Sequence, residues 1–257
     1  MKIKKITEGV RYNGDSQYII DMRNDYEQDI IHTCMSDELY YSNIQDNVYV
    51  FGYKFRENAS REQRTNFLNW LKSHKNMPNY LSEFINRPLI RLQRDRKIPD
   101  IDLVLYPRSG QNEFVPIIVR AMMAVLGGTP MKTAEAVKAA PSEITIDYDA
   151  LRGACKDDYQ YNARLKVVEK LLEKIRSLEY FSLSRDVKMK YRGYIRNFLK
   201  FNLEEKVIIS SIQKGAVLII DDVNTSNSTL NELIRKVKEL NKDCEIYIFT
   251  LIGKSFD

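Results

Sequence analysis

The segment from residue 216 to residue 252 constrains the fold more than any other part of the sequence. It begins with an apolar strand candidate, AVLII (216–220), and passes through a short polar loop. An amphipathic helix candidate (229–240) and a second apolar strand candidate (244–252) follow. A strand, a helix and a strand at this spacing form a βαβ unit with parallel strands. The sequence therefore predicts an α/β fold in which helices flank a parallel sheet.

Further elements of the same kind precede this unit. The segment DIDLVLYP (100–107) reads as a short strand that ends in the turn PRSG (107–110). Apolar residues at helical spacing predict a helix that ends at Gly127–Gly128. A strand over 143–149 and a helix over 161–178 are also expected. The residues that define the first of these helices are Val115, Ile118, Val119, Met122 and Leu126.

The first part of the chain reads as mixed α and β. In NVYVFGYKF (47–55) aromatic residues alternate with other residues, which is typical of a packed strand face, although such a row also suits base stacking. A helix over 60–75 begins with the capping-box residues Ser60 and Gln63. We therefore divide the chain into an N-terminal α+β accessory region over 1–98 and an α/β domain over 99–257. The domain carries a helical and basic insertion at about 150–206.

Composition excludes several classes of protein. Hydrophobic residues make up 44% of the 257 residues and the net charge is +5, which is a globular composition with modest positive charge. Cys34, Cys155 and Cys244 form no CxxC pattern, which indicates reduced thiols. His32 and His74 are too few for a histidine-rich metal site. The basic N-terminal residues precede no apolar signal segment, and no apolar run approaches the roughly 20 residues of a membrane span. We expect a cytoplasmic protein without membrane contact.

Polar residues follow the strand at 216–220 in an unusual order. Asp221 and Asp222 come first, and four of the five residues over 225–229 then carry hydroxyls. The start of a helix binds phosphate through free N–H groups, and Thr229 with Glu232 fits a capping box at that start. Two carboxylates would repel a phosphate placed directly on them. A ribose 5-phosphate resolves this conflict, because the acids accept from ribose hydroxyls while the loop holds the phosphate.

The stretch VLIIDDVNTSNSTL resembles the phosphoribosyl-pyrophosphate (PRPP) motif of type I phosphoribosyltransferases. The resemblance implies that Asp221 and Asp222 bind the ribose hydroxyls and act in catalysis together with Arg108. It also implies a pyrophosphate loop at PRSG, formed by Arg108, Ser109 and Gly110. The ribose 5-phosphate site would comprise Asp221, Asp222, Val223, Asn224, Thr225, Ser226, Asn227, Ser228 and Thr229.

This resemblance carries expectations about function. It implies transfer of a phosphoribosyl group from PRPP to a nitrogenous base with release of pyrophosphate. Mg²⁺ is the implied cofactor, held by Asp221 and Asp222 indirectly through the ligand or water. The partners implied are PRPP or a nucleotide, and a homodimer is left open. A narrower similarity to ComF-like phosphoribosyltransferases rests on the basic tract before the motif. Asn227 stands where the family usually has Gly, and Asn is the residue that best replaces Gly in a left-handed backbone.

Two alternatives to the enzyme remain. A non-catalytic sensor would keep the PRPP or nucleotide pocket without the transfer reaction. A nucleic-acid-binding protein, which is less favoured, would use a basic tract that also reads as a solvated face or a lid over the diphosphate. If a hood binds the base, it must come from the N-terminal part or from residues 150–205. The basic tract comprises Arg185, Lys188, Lys190, Arg192, Arg196, Lys200 and Lys206.

Overall fold

The protein is described by a computed structural model that covers residues 9–12, 18–21, 31–33, 39–57, 59–73, 79–95, 98–108, 113–126, 132–212, 214–224 and 226–253. The strands are β1 (Gly9–Tyr12), β2 (Tyr18–Asp21), β3 (Ile31–Thr33), β4 (Tyr40–Ile44), β5 (Asn47–Phe55), β6 (Leu103–Pro107), β7 (Lys132–Lys138), β8 (Thr145–Ile146), β9 (Ile195–Arg196), β10 (Leu199–Lys200), β11 (Ala216–Val223) and β12 (Glu245–Gly253). The helices are α1 (Arg61–Lys72), α2 (Asn79–Asp95), α3 (Phe114–Leu126), α4 (Tyr148–Gly153), α5 (Asp158–Arg176), α6 (Leu183–Asp186), α7 (Met189–Arg192), α8 (Leu203–Ser211) and α9 (Ser228–Leu240).

The main sheet has a parallel centre and antiparallel edges. Its strand order is β10, β7, β6, β11, β12, β5 and β3, with β4 also paired to β5. The five strands from β7 to β5 run parallel to one another. β10 joins one edge and β3 and β4 join the other, all antiparallel. The predicted α/β class is confirmed, with the correction that the sheet is mixed and mostly parallel rather than wholly parallel.

Helices cover both faces of this sheet because the buried strands are apolar on both sides. In β11, Leu218 and Ile220 pack into a core that includes residues of α2 and α3. Val217 and Ile219 alternate with them and pack into a second core that includes residues of α5, α8 and α9. Such continuous apolar runs are characteristic of central parallel strands. The sheet that contains β11 is thus the middle layer of three, with helices packed on both of its faces.

The chain changes direction at the boundary between β6 and β11. From β6 it passes through α3 to β7 on one side, and from β11 it passes through α9 to β12 on the other side. The loops that follow β6 and β11 therefore diverge and leave a crevice at the carboxyl ends of these neighbours. In open α/β sheets a crevice of this kind is the usual position of the ligand.

The aromatic strand β5 has the predicted bounds and is part of the core. Tyr49 and Phe51 are fully buried, which confirms the packed face rather than a base-stacking surface. The Tyr53 hydroxyl donates to the Phe84 carbonyl at 2.7 Å, and their rings stack with centroids 4.3 Å apart. Because β5 pairs with β12, the region before residue 99 contributes strands to the main sheet. The division of the chain at residues 98 and 99 stays a prediction.

Other sequence expectations are confirmed or corrected. Helix α1 has the predicted capping box, and α3 and α5 occur close to their expected positions. The strand expected over 143–149 is wrong for most of its length, because only 145–146 forms β8 and Asp147 accepts from the Ala150 N–H as the N-cap of α4. β7 was not anticipated from the sequence.

Two expectations about the whole chain concern thiols and membranes. Cys155 and Cys244 are free thiols, whereas Cys34 lies outside the described residues. His74 also lies outside the described residues. Within the described ranges, every helix is too short or too polar to cross a membrane.

Candidate functional site

A cavity of about 400 Å³ lies at the carboxyl ends of β6 and β11, where the two connections diverge. Its floor is formed by the ends of these strands and the loop that enters α9. One wall comes from α1, whose residues Thr65, Leu68, Asn69 and Lys72 recur at helical spacing and share one side of the helix. The opposite wall comes from residues 181–184, Arg192, Phe198 and Leu199.

The two acids at the end of β11 differ in their surroundings. The Asp221 carboxylate accepts the backbone N–H of Asp222 at 2.8 Å. Burial raises the pKa of Asp221 well above its ordinary value of 3.8, and repulsion from Asp222 raises it further, while Lys72 opposes the shift. The side chain of Asp222 is 6% exposed and forms an ion pair. The site thus holds one acid whose ionisation is opposed by burial and one that is paired with a cation.

That cation is Lys72, from the last turn of α1. Its ammonium nitrogen lies 2.7 Å from Oδ2 of Asp222, and its side chain is 39% exposed. Burial lowers the pKa of Lys72, but attraction to Asp222 and Asp221 and the hydrogen bond to Asp222 outweigh burial and raise it overall. An ammonium near a helix C-terminus is also favoured by the helix dipole. Lys72 is therefore charged and bound to the acid pair.

The loop between β11 and α9 contains a residue with a left-handed backbone. Asn227 has φ 56° and ψ −4°, a left-handed conformation, and precedes the first residue of α9. Its side chain accepts from the Asn224 amide at 2.6 Å, and its own N–H donates to the Asn224 side chain at 3.0 Å. The expectation that Asn replaces Gly at a left-handed position is confirmed.

The predicted capping box at Thr229 and Glu232 is wrong. Asn227 is the N-cap of α9, and Thr229 lies inside the helix. The fully buried Glu232 carboxylate instead accepts the backbone N–H of Asn197 at 2.7 Å and pairs with Arg235 at 2.8 Å. The start of α9, which lines the cavity through Ser228 and Thr229, consequently has no glutamate reaching back over it.

Cationic side chains surround the cavity. Arg108 follows β6, pairs with Glu135 at 2.9 Å and is 52% exposed. Lys138 at the end of β7 and Arg192 of α7 also line the cavity. Burial and the nearby Arg61 lower the pKa of Arg192. The arrangement favours an anionic ligand, because these cations face a loop that already presents N–H and hydroxyl donors.

Three of the seven cations of the basic tract are paired with neighbouring acids. Arg185 pairs with Asp186 at 2.8 Å, Arg196 with Asp147 at 2.9 Å and Lys200 with Glu143 at 2.7 Å. Arg192 differs because it lines the cavity, and its guanidinium donates to the Ser184 carbonyl at 2.7 Å and the Val187 carbonyl at 3.0 Å.

The structure brings most of the predicted site residues to one place. Thr225, Ser109 and Gly110 lie outside the described residues. Lys72 and Lys138 were not predicted, and nothing in their local sequence marks them, since they reach the cavity only through the packing of α1 and the pairing of β7. The predicted residues that line the cavity are Arg108, Asp221, Asp222, Val223, Asn224, Ser226, Asn227, Ser228 and Thr229.

The described residues do not fit a metal ion bound directly to the acid pair. No group of three or more acidic, histidine or cysteine side chains with metal-binding geometry occurs in the described part of the chain. One oxygen of Asp222 is taken by an ammonium and one oxygen of Asp221 by a backbone N–H. A divalent ion at Asp222 would also lie beside the charge of Lys72.

Comparison with solved structures finds similarity to a hypoxanthine phosphoribosyltransferase from Staphylococcus aureus in two crystal forms. The TM-score is 0.36 for the tetragonal form and 0.35 for the orthorhombic form, each at 11% sequence identity. The matches cover 68% of this chain and 63% of the solved chain, so this chain spans less than two thirds of the protein it matches. No protein-family model and no curated protein matches the sequence.

Proposed function

We propose that the protein binds PRPP in the cavity beside β11 and transfers its phosphoribosyl group to a nitrogenous base. The observation that carries this proposal is the cavity itself: the acid pair, the left-handed loop and the start of α9 lie at the carboxyl ends of two neighbouring parallel strands. A sugar phosphate matches this set, because hydroxyl donors suit the carboxylates and a phosphate suits the loop.

The loop from residue 224 to residue 229 accounts for the 5-phosphate. Ser226, Ser228 and Thr229 line the cavity, and the hydroxyls of Ser226 and Ser228 lie 3.2 Å apart. These hydroxyls can donate to phosphate oxygens together with the first N–H groups of α9. The Asn224–Asn227 hydrogen bonds hold the loop backbone in one conformation, so that less ordering is required when the ligand binds.

The transfer reaction needs positioning and electrostatics rather than a nucleophilic side chain. A nitrogen of the base forms a bond to C1 of the ribose while the C1–O bond to the diphosphate breaks. Pyrophosphate leaves with the electron pair, and the proton on the attacking nitrogen passes to solvent. Arg108, Lys138 and Arg192 line the cavity where they can stabilise the charge that develops on the diphosphate. The substrate would be PRPP as its Mg²⁺ complex, with the ion carried by the diphosphate.

The wall across from α1 is suited to hold the base. Phe181, Leu183, Phe198 and Leu199 supply apolar surface, and Ser182 and Ser184 lie beside them. A flat base would bury its faces against the apolar residues, and hydroxyls would meet its edges. Both regions expected to supply a hood, the N-terminal part and the insertion, thus contribute walls to the cavity.

A non-catalytic sensor is the second candidate, and a specific observation favours it. Asp222 and Arg108 are both engaged in ion pairs with other residues of the chain. A protein that only binds PRPP or a nucleotide could keep these pairs, whereas transfer requires charged groups that respond to the leaving diphosphate.

Calorimetry with PRPP and Mg²⁺ tests the proposal. We expect the wild type to bind, and Asp222→Asn to bind at least about tenfold more weakly, since hydrogen bonds to charged groups contribute about 1.5–3 kcal/mol. Asp243→Asn is the control, because this exposed acid lies just before the amino end of β12, whereas the cavity lies at the carboxyl ends of the strands. Failure of the wild type to bind PRPP would refute the transferase and a sensor of PRPP, and failure to bind nucleoside monophosphates as well would refute the nucleotide sensor. Binding without pyrophosphate release against a panel of bases would favour the sensor.

A further inference from the structure

The ion pair between Lys72 and Asp222 joins two distant parts of the chain at the centre of the cavity. Lys72 ends α1, and Asp222 ends the central strand β11. The Asp222 side chain is almost fully buried, at 6% exposed, whereas the Lys72 side chain is 39% exposed and lines the cavity. The ammonium and the acid thus both line the cavity that a ligand would enter.

This placement resolves the repulsion between the acids and an anionic ligand. Two adjacent carboxylates at the end of a buried strand create a negative potential in a region of low dielectric. A cation close to both of them removes most of that potential, and in many sugar-phosphate sites a divalent ion has this role. Here the acid pair has a cation from its own chain.

We propose that Lys72 takes the place of a divalent cation at the acid pair, so that the protein binds the ribose 5-phosphate group without a metal ion there. This inference rests on the proposed function. Lys72 is a positioning residue: it fixes the Asp222 carboxylate through one oxygen and leaves the other for a ribose hydroxyl. The chain thereby differs from a site in which the acids bind a metal ion directly, whereas the expectation from the sequence that Asp221 and Asp222 hold Mg²⁺ indirectly, through the ligand or water, stays a prediction.

A purely structural ion pair is the competing explanation. In that case Lys72 would only fasten the end of α1 to the end of β11, and its removal would lower stability without creating a metal site. The two explanations differ in what happens to the acids when the ammonium is removed. If Lys72 stands in for a metal, the freed carboxylates should accept a metal ion, because Asp222 then has lost the ammonium that pairs with it beside Asp221.

The test compares the wild type with Lys72→Met, which keeps the length of the aliphatic stem and removes the charge. Binding of Mn²⁺ alone is followed by electron paramagnetic resonance, and binding of ribose 5-phosphate is followed by calorimetry with and without Mg²⁺. We expect the wild type to bind no Mn²⁺ at this site and to bind ribose 5-phosphate equally well with and without Mg²⁺. Lys72→Met should gain a Mn²⁺ site and lose at least about tenfold in ribose 5-phosphate affinity, which Mg²⁺ restores.

Lys138→Met is the matched control. Lys138 also lines the cavity, but it makes no ion pair with the described acidic residues. Its loss should weaken ribose 5-phosphate binding without creating a Mn²⁺ site, and Mg²⁺ should not restore the affinity. Addition of Asp222→Asn to Lys72→Met should abolish the new Mn²⁺ site.

The outcomes separate this inference from the proposed function. Mn²⁺ binding by the wild type that Asp222→Asn removes, or a Lys72→Met variant that folds but gains no Mn²⁺ site, would overturn the role of Lys72. Failure of the wild type to bind PRPP would refute the proposed function, whereas the role of Lys72 at the acid pair is decided by the Mn²⁺ measurements, which need no organic ligand. A folded state for each variant is checked by circular dichroism, and Lys72→Arg, which keeps the charge, should behave as the wild type does toward Mn²⁺.

Discussion

Asn227 shows how one residue sets the geometry of the loop that enters α9. Its φ of 56° would strain most side chains, but Asn tolerates a left-handed backbone. Its side chain also accepts a hydrogen bond from Asn224, which is 4% exposed. A Gly at this position would supply the backbone conformation but not the hydrogen bond. The residue therefore combines conformational tolerance with a bond that orders the loop.

Substitutions at Asn227 should separate these two contributions. Asn227→Ala loses the hydrogen bond and places an unfavourable side chain at positive φ, so we expect the free energy of unfolding to fall by about 1–3 kcal/mol. Asn227→Gly loses only the hydrogen bond and should cost clearly less. Urea denaturation of both variants measures the difference. Equal losses for Ala and Gly would show that backbone strain at this position is unimportant.

Substitution of Asp221 and substitution of Asp222 should change the free energy of unfolding in opposite directions. The folded-state pKa of Asp221 is raised, chiefly by burial. The stability that Asp221 contributes is therefore fully present below about pH 3.8, its ordinary pKa, and is lost as the pH rises through the folded-state pKa. Asp221→Asn keeps an acceptor for the Asp222 N–H and should therefore raise the free energy of unfolding at pH 7.5 more than at pH 5. Asp222→Asn should lower it at pH 7.5, because Lys72 loses its charged partner.

Denaturant titrations at pH 5 and pH 7.5 measure these effects. A gain for Asp221→Asn that is equal at both pH values would contradict the assignment of the effect to ionisation. The same variant should bind ribose 5-phosphate more weakly, so that stability gained at this residue comes with a loss of binding.

At the scale of elements, the sequence predicted those strands and helices whose own residues carry a strong pattern. β5, β11 and α1 could be predicted because their apolar residues recur at the period of a strand or a helix. β7 could not, because its buried residues Ala134 and Ala136 are small and are flanked by charged residues. Its strand conformation depends on parallel pairing with β6, which is a tertiary effect.

The candidate site likewise contains residues that the local sequence predicts and residues that only the tertiary packing brings to it. The acids and the loop after β11 are contiguous in sequence and form a recognisable pattern. Lys72 reaches Asp222 only because α1 packs across the end of the sheet with Phe67 and Leu71 fully buried. No spacing in the sequence reports a contact that depends on the docking of a helix far along the chain.

The packing of α2 against β5 depends on the absence of a side chain at Gly52. A Cβ at this position would lie 2.6 Å from Cβ of Pro88, which is inside α2, and 3.2 Å from the Leu251 carbonyl oxygen. The proline ring cannot rotate away as a flexible chain end would. We therefore expect Gly52→Ala to lower the free energy of unfolding by about 1–3 kcal/mol.

Gly153→Ala is the matched control for this change. A Cβ at Gly153 meets no atom within 4 Å, and the residue lies at the end of helix α4. The substitution should be neutral or slightly stabilising, since Ala has a higher helix propensity than Gly. Thermal denaturation of both variants measures the contrast, and an unchanged midpoint for Gly52→Ala would mean that α2 can shift away from the sheet.

At the scale of the whole molecule, the cations that line the cavity come from distant parts of the chain: Lys72, Arg108, Lys138 and Arg192. The net charge is only +5. Three cations of the basic tract are paired with acids, whereas Arg192 of the same tract lines the cavity. Nucleic-acid binding usually depends on several unpaired cations that contact phosphates together. The tract therefore offers cations to both ligand classes: Arg192 to a ligand in the cavity, and the exposed Lys188 and Lys190 to a nucleic acid.

Substitutions within the basic tract test that distribution. Arg192→Gln should lower PRPP affinity about tenfold, because one cation facing the ligand is lost. Lys188→Gln and Lys190→Gln remove exposed charges of the same tract that do not line the cavity. For these variants the PRPP affinity should stay within about twofold of the wild type, as expected for distant surface charges screened by salt.

Fluorescence anisotropy with a labelled DNA duplex at physiological salt tests the alternative ligand. The dissociation constant should be larger than about 10⁻⁴ M for the wild type and for all three variants. Tight DNA binding that falls steeply with added salt and is lost in Lys188→Gln and Lys190→Gln, with PRPP binding absent, would assign the tract to nucleic acid instead. The comparison thus distinguishes the two ligand classes, because Arg192 lines the cavity, whereas Lys188 and Lys190 are exposed to solvent.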